Sequence, residues 1–290
     1  MATHHPATLN DSSHARIGQP VRALPHAIGT GFNAKHFSEE MFDGGMDPLL
    51  MVDHFVMTSP TFAPHLHAGI SAVTAMFEDS QGDFLNRDTL GHNLALEAGD
   101  LYWLTAASGA AHEEKPADNA RIHALQIFVN LPASQKNQPA RALEVRAQNV
   151  PVLEDKGYRI RVVLGRSGET IGNEATPQEM TLLDGFLEAN GCFNHSLPEG
   201  RQAWVYVLSG AVTLGLKEEK RRLGAGFALC INAGSQAALT LRADEKSHFV
   251  LMSGQPIRET FVKYGPMVMS STEDVQRTLS DYAAGKFGRI

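Results

Sequence analysis

Cysteine is nearly absent: Cys192 and Cys230 are the two in 290 residues. So few thiols exclude a disulfide scaffold and read as reduced, buried side chains of a cytoplasmic protein. Long apolar runs are also missing. None approaches the roughly 18 residues that a membrane-spanning helix requires, and the N-terminus lacks the basic-then-apolar order of a secretory signal. There is no basic excess either. A formal net charge of −7 gives no field that favours nucleic acid or an anionic membrane, so neither is expected as a direct partner. Helical periodicity is scarce as well. The start, Met1 to about Gln19, is rich in His, Ser, Thr and Ala, and its first 15 or so residues are expected to be disordered. His4 and His5 are then bystanders.

What is present is material for a core. Hydrophobic residues make up 43% and charged residues 20%, and the length suits two domains. Short runs of β-branched or alternating apolar residues recur between Gly, Asn, Asp and Pro. Ile70–Phe77, Leu101–Leu104, Ile122–Val129, Tyr158–Val163, Trp204–Leu208, Ala211–Leu216, Phe227–Ile231, Ala238–Leu241 and Phe249–Met252 are examples. Regular short strands with turns between them indicate a sandwich or barrel. One helix is expected from Glu273 to Ala284, capped by Ser271 or Thr272 and stopped by Gly285. Val275, Leu279 and Tyr282 share its apolar face.

The chain also repeats itself. Gly99–His112 aligns without a gap on Gly226–Leu239 at an offset of 127, and Val73–Gly82 aligns on Arg201–Gly210 at 128. Each copy then ends in a strand and a proline, at Pro132 and Pro256. Two copies of one β unit, joined near residues 133–155, predict a duplicated barrel.

Chemistry concentrates in the first copy. Pro64-His65-Leu66-His67-Ala68-Gly69 leads into a strand, and His112-Glu113-Glu114 follows 45 residues after His67. In extended chain, residues two apart point to one face. His65 and His67 can therefore converge, as can His112 and Glu114, while Glu113 faces away. Three imidazoles and a carboxylate suit a divalent transition metal. Through the repeat offsets, His65, His67, His112 and Glu114 correspond to Phe193, His195, Leu239 and Leu241. The expected architecture is one metal-binding barrel and one structural barrel. His92 and His123 lack a partner two residues on and are not ligands. Asp53 and His54 either contact a ligand histidine or pack locally. Phe55, Phe62, Met76 and Trp103 either line an apolar pocket or are plain core.

Several segments carry a resemblance: Asp47–Phe55, Pro64–Gly69, Asn86–Gly91, Gly99–Ala106, Gly109–Glu114, His123–Pro132, Gly254–Ile257 and Tyr264–Met269. From about residue 29 to the C-terminus the chain resembles the pirin family, two-domain members of the cupin superfamily. The resemblance implies an all-β bicupin of two tandem antiparallel barrels with a short C-terminal helix. Residues 1–19 would form a tail, 20–135 the metal-binding barrel and 136–290 the metal-free barrel with the helix. It implies His65, His67, His112 and Glu114 as ligands of one divalent metal, with Fe(II) first and Zn, Mn, Ni, Co or Cu compatible. Leu66, Ala68 and Ser71 depart from the usual Pro-His-Pro-His-Arg-Gly-Phe-Glu pattern, and the loss of the Arg at Ala68 and of the usual Gly-Arg-Gly-Val-Val before His112 alters the pocket rim. The implied activity is quercetin 2,3-dioxygenase chemistry on a small aromatic substrate and dioxygen. Glu114, the one acidic residue of the ligand set, is the candidate catalytic base, since Ser71 stands where the superfamily's first motif carries an acid. The alternatives are an iron-dependent regulator that binds a protein partner without turnover, and a barrel whose zinc only supports the fold.

Overall fold

The computed structural model describes residues 3–5, 16–232 and 234–290. In the first half the strands are β1 (Leu24–Ile28), β2 (Phe32–Ser38), β3 (Leu49–Met57), β4 (His65–His67), β5 (Ile70–Met76) and β6 (Phe84–Asp88). They continue with β7 (Asn93–Leu96), β8 (Leu101–Thr105), β9 (Ala110–Pro116), β10 (Ile122–Asn130) and, after a helical turn α1 (Ala133–Lys136), β11 (Arg141–Val145). These form a large antiparallel sheet in the order β11-β8-β5-β10-β3-β2-β1 and a small one in the order β7-β6-β9-β4. The second half holds β12 (Val152–Asp155), β13 (Tyr158–Leu164), β14 (Met180–Leu187), β15 (Cys192–Leu197), β16 (Gln202–Ser209) and β17 (Ala211–Leu216). It goes on with β18 (Glu219–Gly224), β19 (Phe227–Asn232), β20 (Ala237–Ala243) and β21 (Ser247–Gly254). Its sheets run β12-β13-β14-β21-β16-β19 and β15-β20-β17-β18. The duplicated all-β architecture is as expected.

Strand alternation decides what each barrel encloses. On β10, Leu125, Ile127 and Val129 face the other barrel, while Ala124 and Phe128 face inward. The outward residues of both large sheets form one shared layer in which Val73, Trp103 and Ile127 meet Leu182, Trp204 and Met252. With both faces covered, these strands read as nearly continuous apolar runs rather than alternating ones. Trp103 belongs to this layer between the barrels. Met76 packs in the core of the first barrel.

The halves also exchange edge strands. Arg16–Ile17 and Val21–Arg22 pair with β19, whereas β11, which follows residue 135, pairs with β8 in the first sheet. An unpaired sheet edge is a row of unsatisfied N–H and C=O groups, and each half covers the other's. The expected divisions at 19/20 and 135/136 therefore do not coincide with the hydrogen-bonded sheets. Of the tail expected to be disordered, Thr3–His5 pairs with Phe261–Lys263; residues 1, 2 and 6–15 lie outside the described residues. After β22 (Phe261–Tyr264) and β23 (Met267–Met269) comes helix α2 (Thr272–Ala283), in which the Ser271 side chain accepts from the Asp274 N–H at 3.1 Å. Its buried face carries Val275 and Thr278. Leu279 and Tyr282, expected on that face, are 38% and 40% exposed, because α2 meets β22 and β23 along a narrow stripe. No helix among the described residues is long and apolar enough to cross a membrane.

The register of the repeat needs one correction. His65 stands opposite His112, and His195 stands opposite Leu239. The equivalent of His65 is thus His195, and that of His67 is Leu197. The ungapped alignment displaced this strand by two residues because the connections between strands differ in length between the copies. Likewise Ala75 matches Tyr206 rather than Ala203.

A polar chain crosses the layer between barrels. Tyr206 Oη lies 2.7 Å from His54 Nδ1, His54 Nε2 lies 2.6 Å from His123 Nε2, and His123 Nδ1 lies 2.6 Å from Asp79. Burial pushes the pKa of His54 down to about 3, and that of His195 in the second barrel down to about 4. The unfolded chain, with histidines near 6.5, takes up protons that the folded state refuses. Stability is therefore full above about pH 6.5 and declines as the pH falls toward 4, by up to ~1.4 kcal/mol per pH unit for each such histidine. Urea-unfolding midpoints between about pH 7 and 5 should fall accordingly. His54→Gln should make that fall shallower by one proton's contribution; an unchanged slope would contradict the assignment.

Candidate metal centre

The two histidine-containing motifs meet because β4 and β9 are hydrogen-bonded neighbours, with His65 opposite His112 and His67 opposite Ala110. Two-residue periodicity turns both β4 imidazoles inward beside His112. One ring nitrogen from each of His65, His67 and His112 lies within 4.8 Å of the other two. Nε2 of His67 and Nε2 of His112 are 3.0 Å apart.

Backbone carbonyls orient the rings from behind. Nδ1 of His65 sits 3.0 Å from the Ala63 oxygen, and Nδ1 of His67 sits 3.4 Å from the Pro266 oxygen. An imidazole that donates through Nδ1 keeps its lone pair on Nε2. Burial, and then the neighbouring rings, hold His67 well below the usual histidine range and lower His65; burial pushes His112 down to about 4. Each shift favours the neutral ring. Neutral imidazoles with converging lone pairs and little access to water are the donor set of a borderline transition-metal cation.

Glu114 lines the same cavity but stands beside the tight cluster of nitrogens. Its Oε1 accepts from Thr74 Oγ1 at 2.6 Å and from Asn86 Nδ2 at 3.0 Å. Burial raises its pKa, opposed by those two hydrogen bonds and by His65. Glu113 faces the other way and pairs with Arg87 at 2.7 Å. His92 bonds to Asp88, and His123 lies in the layer between the barrels. His54 is committed to Tyr206 and His123, so it contacts none of the three clustered histidines. Asp53 does reach the cavity, where it pairs with His36 at 2.6 Å. Ser71 is buried and lies outside the cavity lining.

The cavity measures about 170 Å³. Of the aromatic residues read as either pocket wall or plain core, Phe55 and Phe62 line the cavity and Trp103 does not. Phe32, Phe84 and Phe128 complete it. Phe128 and Gln126 escaped the sequence reading, although the alternation of His123–Pro132 carried the signal. In the second barrel the equivalent positions are His195, Leu197, Leu239 and Leu241, enclosed in a continuous apolar core. His195 Nδ1 meets Ser167 Oγ at 3.0 Å.

Strand β4 is braced from outside by the C-terminal segment. Val268 N–H donates to the Ala68 oxygen at 2.9 Å, and Leu66 packs on Met267, Met269 and Val275. The buried Lys136 ammonium donates to the Gly69 oxygen at 2.8 Å, the Val268 oxygen at 2.7 Å and Asn130 Oδ1 at 2.6 Å. Gly69 itself has φ +72°, and a Cβ there would fall 1.9 Å from the Val268 oxygen.

Two fused antiparallel barrels, one with a histidine cluster in its interior and one packed solid, define a bicupin. The chain belongs to the pirin family: the Pirin family model matches residues 12–129, and the model of the Pirin C-terminal cupin domain matches 182–288. It is 29% identical to the pirin of Homo sapiens over 247 residues, 84% of this chain and 83% of that protein. The crystal structure of a quercetin 2,3-dioxygenase from Acinetobacter baumannii superposes with a TM-score of 0.84 at 27% identity, over 96% of this chain and 99% of that one. A bacterial pirin from Escherichia coli, solved in complex with nickel(II), shares the fold at a TM-score of 0.62 and 19% identity, over 88% of this chain and 100% of that one.

Two outcomes follow for the centre. One equivalent of Ni(II) should raise the thermal midpoint of the wild type, because a ligand that binds only the folded state stabilises it; His67→Ala should abolish the rise. Gly69→Ala should weaken Ni(II) binding and lower the metal-free midpoint, since the left-handed backbone and the Val268 carbonyl both oppose a side chain. Calorimetric titration and a thermal melt read the two effects.

Proposed function

We propose that this pirin is a metal-dependent dioxygenase of the quercetinase type, acting on a flavonol or a closely related enol. The observation that carries the reading is the meeting of three imidazoles, two buried and one half-buried, on the wall of an aromatic-lined cavity. His65, His67 and His112 would hold one divalent cation, with Glu114 as the fourth ligand and Fe(II) as the first candidate among Fe, Zn, Mn, Ni, Co and Cu. The nickel(II) complex of the Escherichia coli relative is in keeping with such a site. When bound, the cation supplies Lewis acidity that favours the anion of the flavonol 3-hydroxyl.

This chain's own residues do the rest. Phe32, Phe55, Phe62, Phe84 and Phe128 offer faces and edges to planar rings and keep water away. Thr74 and Asn86 hold Oε1 of Glu114, while Oε2 makes no hydrogen bond to a described residue. That oxygen, on the one acidic side chain beside the three imidazoles, accepts the 3-hydroxyl proton. In the overall reaction two ring carbon–carbon bonds break and both oxygens of dioxygen enter the ester product. The carbon between the broken bonds leaves as carbon monoxide. Two unpaired cysteines, one buried and one partly so, suit a reducing cytoplasm.

Anaerobic reconstitution with Fe(II), then exposure to air with a flavonol, tests the reading through flavonol absorbance and carbon monoxide release. Wild type should consume the flavonol, and His67→Ala should not. Glu114→Gln should lower turnover by about 100-fold or more if Glu114 is the base. Bound metal without turnover on any flavonol or related enediol would favour the regulatory alternative.

A further inference from the structure

Strand register lines up a row of polar side chains across the inner face of the large sheet of the first barrel. His36 on β2 stands opposite Asp53 on β3, Asp53 opposite Gln126 on β10, Gln126 opposite Thr74 on β5, and Thr74 opposite Tyr102 on β8. The flanking rows are apolar. Met51, Phe128 and Ala72 lie on one side; Phe55, Ala124 and Met76 lie on the other. Asp53, Gln126, Glu114, Met51, Phe55 and Phe128 all line the one cavity.

Within the row two chemically distinct positions flank Gln126. On one side, Thr74 Oγ1 donates to Glu114 Oε1 at 2.6 Å, and Gln126 Oε1 lies 3.2 Å from the same hydroxyl; Tyr102 beyond it bonds Asp88. On the other, His36 Nδ1 lies 2.6 Å from Asp53 Oδ1. Asp53 Oδ2 makes no hydrogen bond to a described residue, and the side chain is 15% exposed. Adjacent strands are ~4.8 Å apart, which puts Asp53 on the order of 10 Å from Thr74. That span matches two linked aromatic rings. A flat ligand would find apolar groups over both of its faces and polar groups along one edge.

We propose that Asp53 is a specificity-determining residue: its free carboxylate oxygen accepts a hydrogen bond from a hydroxyl on the aromatic ring remote from the metal centre. The inference rests on the quercetinase reading and narrows its substrate class to planar enols that carry a distal phenolic hydroxyl. An ionised carboxylate only accepts hydrogen bonds, so it selects O–H over ether or carboxylate at that position. His36 holds the carboxylate in place, and Gln126, midway, can meet a donor or an acceptor. A merely structural His36–Asp53 pair would not distinguish ligands by their distal substituents.

The test titrates Ni(II)-loaded wild type, Asp53→Ala and Asp53→Asn with 3-hydroxyflavone and with a derivative hydroxylated on its outer rings. The readout is the ratio of the two Kd values, with metal content and thermal midpoint as controls. Wild type should prefer the hydroxylated ligand. Asp53→Ala should reduce that preference about tenfold or more, the effect of losing one hydrogen bond to a charged group. Asp53→Asn, which keeps the shape and removes the charge, should move the ratio in the same direction. A preference that is unchanged in both variants, or absent from a wild type that binds both ligands, overturns this inference alone. Wild type that binds neither compound overturns the quercetinase reading and this inference with it.

Discussion

The antiparallel pairing of β4 with β9 is the constraint on which the rest of the site depends. Two backbone segments, 45 residues apart in sequence, place His112 across from His65 and beside His67. A one-residue slip would turn Leu66 and Glu113 inward and send the imidazoles and Glu114 out. Burial then does the electrostatic work. It lowers the proton affinity of the three rings, and a carbonyl behind each of His65 and His67 turns the lone pair toward the shared centre. The same burial raises the pKa of Glu114, so the rings and the carboxylate are both shifted toward their neutral forms by one cause.

A three-residue strand is too short to hold that register alone. The structure compensates from the far end of the chain. Val268 and Pro266 supply the contacts that fix Ala68 and His67, and Lys136 ties Gly69 to Val268 and Asn130. The second half of the molecule therefore contributes to the site although its own barrel holds no comparable cluster among the described residues. The exchange of edge strands and the shared apolar layer serve the same end, since each barrel finishes the other's sheet.

The two barrels show how one framework is used in two ways. In the first, inward positions carry histidines, an acid and a row of hydrogen-bonding groups, leaving an aromatic-walled cavity. In the second, Leu197, Leu239 and Leu241 take three of the four equivalent positions and fill the interior. Leucine interiors need no partner. Converging imidazoles do, because buried polar groups are costly unless something satisfies them.

Much of this was legible from residue order. The two-residue spacing within His65-Leu66-His67 and His112-Glu113-Glu114 already implied shared faces, because side-chain alternation is a local property of extended backbone. The duplication and the short C-terminal helix were legible for the same reason. Periodicity could not say which face of a strand meets which neighbour. Trp103 and Phe55 both sit on apolar strands, yet one meets the second barrel and the other the cavity. Leu279 and Tyr282 fall on a helical stripe that α2 leaves exposed. The match of His65 to His195 needed cross-strand register, since unequal loops defeat an ungapped alignment. The bracing of His67 by Pro266, and of Gly69 by Lys136 and Val268, joins residues far apart in the chain. Sequence alone determined the residue types and their local spacing; only the folded chain decided which distant groups share a cavity, because contact depends on packing rather than on order.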